Sequence, residues 1–246
     1  MSHAHNMSET SNKDRRGHGR KREIRILQHN MQRSKTVPYE IRTQMSVYDY
    51  NIITMQELYS IEGKIPGLGR GVAIACIGSK QDLPMAAVGR IKSEVITPLE
   101  VAELCTTHCA YLQISDGEIE LYIVNQKFPP TENIEVGIQQ LDKVLKSVKG
   151  KKIIISLDGN VKSPLWCSRS TNDRGEALQA VIAQYDLHVL NQPGQSYTFE
   201  TTRERSNIDV TMASPEAIPL VKEWKVHEDG TSSDNSSEWP DNSRQP

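Results

Sequence analysis

The run Ile153-Ile154-Ile155-Ser156-Leu157 restricts the fold of this chain more than any other segment. It is apolar without alternation, so it reads as a strand covered on both faces; a strand with one wet face would alternate. Directly before it, Ile134, Ile138, Leu141, Leu145 and Val148 recur at helical spacing, and Gly150 ends that helix. An amphipathic helix followed at once by a buried strand belongs to a layered α/β domain.

The rest of the body repeats the alternation. Ile24 and Ile26 open a strand that ends in Gln28-His29-Asn30. Ile41, Met45 and Tyr48 predict a helix, with Pro38 where a helix would start. Further strands are predicted over 51–55, 71–77, 109–114 and 118–125, the last with Ile119, Leu121 and Ile123 on one side. A helix over 176–185 follows, then strands near 187–190, 197–199 and 208–212. Ser214 reads as an N-cap before Pro215, opening a short helix, and 221–226 as a short strand. Neither an internal repeat nor a linker interrupts residues 23–226, which predicts one α/β domain.

The two ends have a different character. Residues 1–22 carry six Lys or Arg against Glu9 and Asp14, whereas 227–246 carry five acidic residues against Arg244. Neither end has hydrophobic periodicity, so a disordered basic leader (1–22) and a disordered polar tail (235–246) are expected around a domain at 23–234. With a net charge of −2 for the whole chain, the body is not a basic protein, and any nucleic-acid binding needs a local patch. No apolar run approaches the roughly 18 residues of a membrane helix. The N-terminus lacks the apolar core of a secretory signal. Four cysteines (Cys76, Cys105, Cys109, Cys167) are too few for a disulfide framework and favour a reducing compartment. Cys105-x-x-His108-Cys109 offers only three ligands, fewer than a structural zinc site uses.

Several polar residues stand just past apolar strands: Asn30, Gln56-Glu57, Asp158 with Asn160, and Asp209. Strand ends are where distant segments of an α/β fold converge on one cleft. Carboxylates and amides are hard oxygen donors, suited to Mg²⁺ or Mn²⁺ and to a phosphate substrate. Taken singly, each is an ordinary solvated strand end or Asx turn. Their order and spacing together carry the signal.

That order resembles the endonuclease domain of insect non-LTR (LINE-type) retrotransposons. These belong to the endonuclease/exonuclease/phosphatase superfamily, which includes DNase I and the apurinic endonucleases. The matching segments run from Ile24 to Ser34, Ile52 to Glu57, Ile155 to Trp166, Asn172 to Gly175, Ser206 to Thr211 and Ser232 to Asp234. The resemblance implies a DNase I-like four-layer α/β sandwich, two packed mixed sheets flanked by helices. It implies that Glu57 binds the divalent ion, with Asn30 close by and Asp234 in support. Asp158 would orient or activate the attacking water, Asn160 would hold the scissile phosphate, and Asp209 would bond a histidine following Asp234. The implied reaction nicks one DNA strand, leaving a 3′-hydroxyl that primes reverse transcription. Implied partners are double-stranded target DNA and the reverse transcriptase domain of the same polyprotein, with no membrane and no organic cofactor. The site of action would be the nucleus after synthesis in the cytoplasm, without secretion.

This sequence departs from the family pattern in three places. Asn235 follows Ser233-Asp234 where the family has histidine, and asparagine cannot shuttle a proton, a loss of roughly 10²–10⁴-fold in rate. The polar residues 235–246 replace the apolar strand with which the family completes a sheet, so reduced stability and activity are expected. Lys127 stands where many relatives place a tyrosine near the phosphate, and its charge suits a phosphate oxygen. Gln32 replaces the metal-side aspartate of the repair relatives, as is usual in this insect group. Arg174, Arg203, Arg205 and Ser206, with Arg169, are the candidate DNA contacts on loops. The leading expectation is a metal-dependent DNA endonuclease domain. A catalytically impaired DNA-binding module is the alternative, and a small-molecule phosphoesterase a weaker one, opposed by Ser163-Pro164-Leu165-Trp166 and Asp173-Arg174-Gly175.

Overall fold

Strands β1 (Ile26–Asn30) and β2 (Ile52–Gln56) run parallel, with Ile26 opposite Ile52 and Asn30 opposite Gln56. Parallel neighbours need a crossover, and helix α1 (Val37–Val47) supplies it. The computed structural model describes residues 23–91, 97–100, 102–115, 119–200 and 205–226. Strands β3 (Val72–Ala75) and β4 (Ala86–Ile91) complete a four-stranded sheet of order β1-β2-β4-β3, with β4 antiparallel to both neighbours. The sequence reading did not include β4. Its Ala86-Ala87-Val88-Gly89 carries little β-propensity, and it is the close approach of neighbours that selects small residues there. A Cβ on Gly89 would lie 2.8 Å from Ile53 Cγ2.

The second sheet contains β5 (Thr97–Glu100), β6 (Cys109–Ser115), β7 (Glu120–Lys127) and β8 (Ile153–Asp158). Helix α2 (Ile134–Ser147) joins β7 to β8, which are parallel, and α3 (Asp173–Gln184) follows. Short β9 (His188–Val189) and β12 (Asp209–Ala213) finish the order β5-β6-β7-β8-β12-β9, while β10 (Phe199–Glu200) and β11 (Arg205–Ser206) form a separate antiparallel pair.

Three apolar clusters define four layers. Helix α1 puts Val37, Ile41 and Met45 against Leu27, Ile53 and Met55 on the outer face of the first sheet. Ile52, Val88, Leu112, Ile123 and Ile154 fill the space between the sheets. Helices α2 and α3, with Trp166, cover Val124, Ile155 and Leu157 on the far side. Both faces of β8 are therefore dry, which is why its sequence does not alternate. This is the DNase I-like sandwich that the resemblance implied.

Polar groups also cross between the sheets. Asn125 Nδ2 on β7 donates to the carbonyls of Met55 (2.7 Å) and Ala87 (2.8 Å), and its Oδ1 accepts from Gln56 Nε2 at 2.5 Å. On β1, Gln28 Oε1 accepts from Thr211 Oγ1 at 3.0 Å.

Some sequence expectations need correction. Helix α3 begins at Asp173 rather than 176, because the Asn172 side chain accepts from the Gly175 amide at 2.8 Å and caps it. Ser214 caps no α-helix. Its hydroxyl accepts from the Ile153 amide (3.1 Å) and donates to the Lys151 carbonyl (2.8 Å), and a turn leads to a 3₁₀ segment at Ile218–Leu220. Residues 221–226 form no strand. The leader, Arg203, Asp234 and the tail from Asn235 onward lie outside the described residues. Among the described residues no helix is long and apolar enough to cross a membrane.

The start of α3 also explains one glycine. A Cβ on Gly175 would fall 1.9 Å from the Lys162 carbonyl oxygen, a backbone atom that the Asn172 cap holds in place. Gly175→Ala is expected to destabilise the domain by about 1–3 kcal/mol through this overlap. Urea denaturation would check it, and an unchanged midpoint would show that the loop yields freely.

Candidate catalytic site

Register brings the polar strand ends together. The parallel pair β1/β2 finishes at Asn30 and Gln56, with Glu57 the next residue. The parallel pair β7/β8 finishes with Lys127 opposite Asp158, and antiparallel β12 begins with Asp209 opposite the same Asp158. The first sheet thus contributes Asn30 and Glu57, and the second Lys127, Asp158 and Asp209. Asn30 Nδ2 donates to Asp158 Oδ2 at 2.8 Å. Lys127 Nζ joins the two sheets, donating to Glu57 Oε1 at 2.7 Å and to Asp158 Oδ2 at 2.5 Å.

Two residues just past strand ends have unusual backbone geometry. Glu57 and Asn160 both have φ of +50°, in the left-handed region that costs a non-glycine residue energy. Main-chain bonds hold Glu57 there: its amide donates to the Met85 carbonyl (3.1 Å), and its carbonyl accepts from the Arg33 amide (2.7 Å). The Asn160 loop is held by the Asp-Arg-Gly segment and the residue before it. Asn172 Nδ2 donates to the Asn160 carbonyl at 3.0 Å, and Arg174 Nε to the Gly159 carbonyl at 3.0 Å.

Arg174 donates further to the carbonyls of Glu132, Phe128 and Pro129. These bonds join the Asn160 loop to the end of β7. Ser206 is buried, and its hydroxyl has no hydrogen-bond partner among the described residues. Arg205 lies in β11, and Arg169 is exposed on its loop. Lys127 is not a solvent-facing loop residue: its side chain is 3% exposed. Sequence spacing could not reveal this, because its partner Glu57 lies 70 residues away in the chain.

Burial governs the electrostatics. It works to lower the Lys127 ammonium, but Asp158 and Glu57 outweigh it and hold the group above the ordinary lysine value. Burial lifts Asp158 above the usual carboxylate range, with Lys127 and Asn30 opposing. Asp209 is lifted well above that range, by burial first and by the Asp158 charge second. The enclosed Oδ1 atoms of Asp158 and Asp209 have no hydrogen-bond partner among the described residues.

The donor chemistry suits a hard divalent ion, which commonly takes one or two carboxylates, retained waters and substrate phosphate. The unsatisfied Asp158 Oδ1 fits a group that the described residues do not supply. Among those residues no three His, Cys, Asp or Glu side chains form a metal cage. Cys105 and Cys109 take no part. Burial pushes the Cys109 thiol up to about 12, and Cys105 Sγ bonds the Tyr111 main chain. Beside the site lies a cleft of about 460 Å³, lined by Lys127, Phe128, His108, Glu132, Lys143 and Arg174.

The Endonuclease-reverse transcriptase family matches residues 119–236. The chain is 29% identical over 143 residues to the "Putative 115 kDa protein in type-1 retrotransposable element R1DM" of Drosophila melanogaster, covering 54% of this chain and 14% of that protein. It is 28% identical over 107 residues to the Pol polyprotein from type-1 retrotransposable element R1 of Bradysia coprophila, covering 40% of this chain and 11% of that one. The chain therefore spans only a small part of these curated relatives. Among solved structures, it superposes on the endonuclease domain of TRAS1, a telomere-specific non-LTR retrotransposon, with a TM-score of 0.75 and 25% identity. That match covers 84% of this chain and 92% of the other.

The raised Asp209 carboxyl makes stability depend on pH. The folded chain keeps a proton that the unfolded chain releases near 3.8, so stability falls as pH climbs from that value through the raised one. Asp209→Asn removes this loss. The melting-temperature gain of Asp209→Asn over the parent is expected to be larger at pH 8 than at pH 4. A gain independent of pH would show that Asp209 carries no proton into the fold.

Proposed function

We infer the function from the premise that this chain is a relative of the non-LTR retrotransposon endonuclease domains, with the fold of the endonuclease/exonuclease/phosphatase superfamily. In this reading it is a Mg²⁺- or Mn²⁺-dependent endonuclease domain of a retrotransposon polyprotein. It nicks one strand of double-stranded target DNA and leaves a 3′-hydroxyl from which the polyprotein's reverse transcriptase domain primes synthesis, acting in the nucleus. The observation that carries the reading is the meeting of Asn30, Glu57, Asp158 and Asp209 at one end of two packed sheets.

The chemistry follows from those positions. Asn30 and Lys127 both bond Asp158 Oδ2, which fixes the carboxylate and leaves Oδ1 to accept a proton from the attacking water. Asn160, held in its turned conformation by Asn172 and Arg174, donates its amide to a phosphate oxygen. Asn30 and Glu57 hold the divalent ion, which when bound neutralises phosphate oxygens and stabilises the leaving 3′-oxygen. Asp209 has no ionisable partner at 235, where Asn235 replaces the histidine of the family pattern.

A second reading rests on that asparagine. Without a proton-shuttling histidine the chain binds DNA and cuts it slowly or not at all. Nicking of supercoiled plasmid in Mg²⁺, with EDTA as the control and DNA binding measured in parallel, decides between the two readings. Metal-dependent open-circle product is expected, falling by about 10²-fold or more in Asp158→Asn. Binding without cutting would favour the impaired module. Cutting that survives Asp158→Asn at the parental rate would remove Asp158 from the mechanism.

A further inference from the structure

The position where a cation belongs in this site is filled by the chain itself. Lys127 Nζ lies between two carboxylates from different sheets, 2.7 Å from Glu57 Oε1 and 2.5 Å from Asp158 Oδ2. Its side chain is 3% exposed, so water contributes little to solvating the charge. The ammonium thus does the task a divalent ion would do here, neutralising Glu57 and Asp158 and holding the end of β2 against the ends of β7 and β8.

Two cations do not share this space. An ammonium donating to Glu57 Oε1 uses a carboxylate oxygen that a divalent ion needs, and two positive charges a few ångströms apart in a poorly solvated site repel strongly. We propose that Lys127 is a built-in competitor for the metal: a divalent ion gains Glu57 only as the Lys127 ammonium leaves it, so Lys127 sets the metal concentration at which the site loads. This deepens the proposed function and rests on its assignment of Glu57 as a metal ligand. The exchange has a destination, because Lys127 also lines the adjoining cleft of about 460 Å³. An ammonium turned toward that cleft no longer holds Glu57 and Asp158 together.

The test uses Mn²⁺ alone as the probe, without DNA, in the full chain. Free Mn²⁺ is followed by electron paramagnetic resonance and metal-induced melting shifts by calorimetry, in the parent, Lys127→Met, Glu57→Gln and the double variant. Lys127→Met is expected to bind Mn²⁺ about tenfold more tightly or better, and to gain a larger metal-induced rise in melting temperature. Glu57→Gln is expected to remove that binding in both backgrounds. Unchanged affinity in Lys127→Met, with binding still lost in Glu57→Gln, would overturn the competition while leaving the metal site standing. Binding indifferent to Glu57→Gln would overturn the metal-ligand assignment itself, and the competition with it. Should Lys127→Met fail to fold without metal, acetylation of the parent gives the answer. Lys127 is expected to be protected in metal-free protein and reactive at saturating Mn²⁺, and protection that persists at saturation would overturn the proposal.

Discussion

A buried amide fixes how the two sheets meet, and the site depends on that relation. Asn125 on β7 reaches into the first sheet and uses its donors on the Met55 and Ala87 carbonyls and its acceptor on the Gln56 amide. Apolar packing between sheets tolerates sliding, because dispersion contacts are individually weak and non-directional. A fully bonded buried amide does not, since a shift would leave several polar groups unsatisfied in a dry interface. Two residues further along the same face of β7 stands Lys127, which takes its carboxylates from both sheets. The register that satisfies Asn125 is therefore the register that assembles the site.

The inter-sheet faces share one gradient. Along β2 it runs Ile52, Thr54, Gln56; along β7 Leu121, Ile123, Asn125, Lys127; along β8 Ile154, Ser156, Asp158. Each begins apolar and ends in a group that donates or accepts strongly. This gradient was legible in the sequence as polar residues just past apolar strands, and the fold places them as the strand-end argument required. The helices α1 and α2 and the buried β8 were legible for the same reason, since their periodicity reflects which faces are dry.

What the sequence did not disclose depends on long-range contact. Strand β4 was missed because its alanines and Gly89 answer to the nearness of Ile53, not to local preference. Ser214 carries the signature of a helix cap, yet bonds the main chain at the start of β8. Arg174 was read as a candidate DNA contact, and its guanidinium also ties the loop after β8 to the loop after β7. Asn172, Arg174 and Gly175 shape the loop that carries Asn160.

The charged centre also bears on how the chain reaches this state. Lys127 and Glu57 are 70 residues apart, and Asn30 and Asp158 are 128 apart. Contacts of such separation close late, because the intervening chain must first lose its freedom. Lys127 and Asp158 meet within the second sheet, but Glu57 and Asn30 reach them only when the first sheet docks in register, and burying that pair without them is unfavourable. A sandwich with the sheets offset by a residue or two would lose those bonds at the place where the in-register one makes them. The charged centre thus favours the in-register sandwich over its offset alternatives.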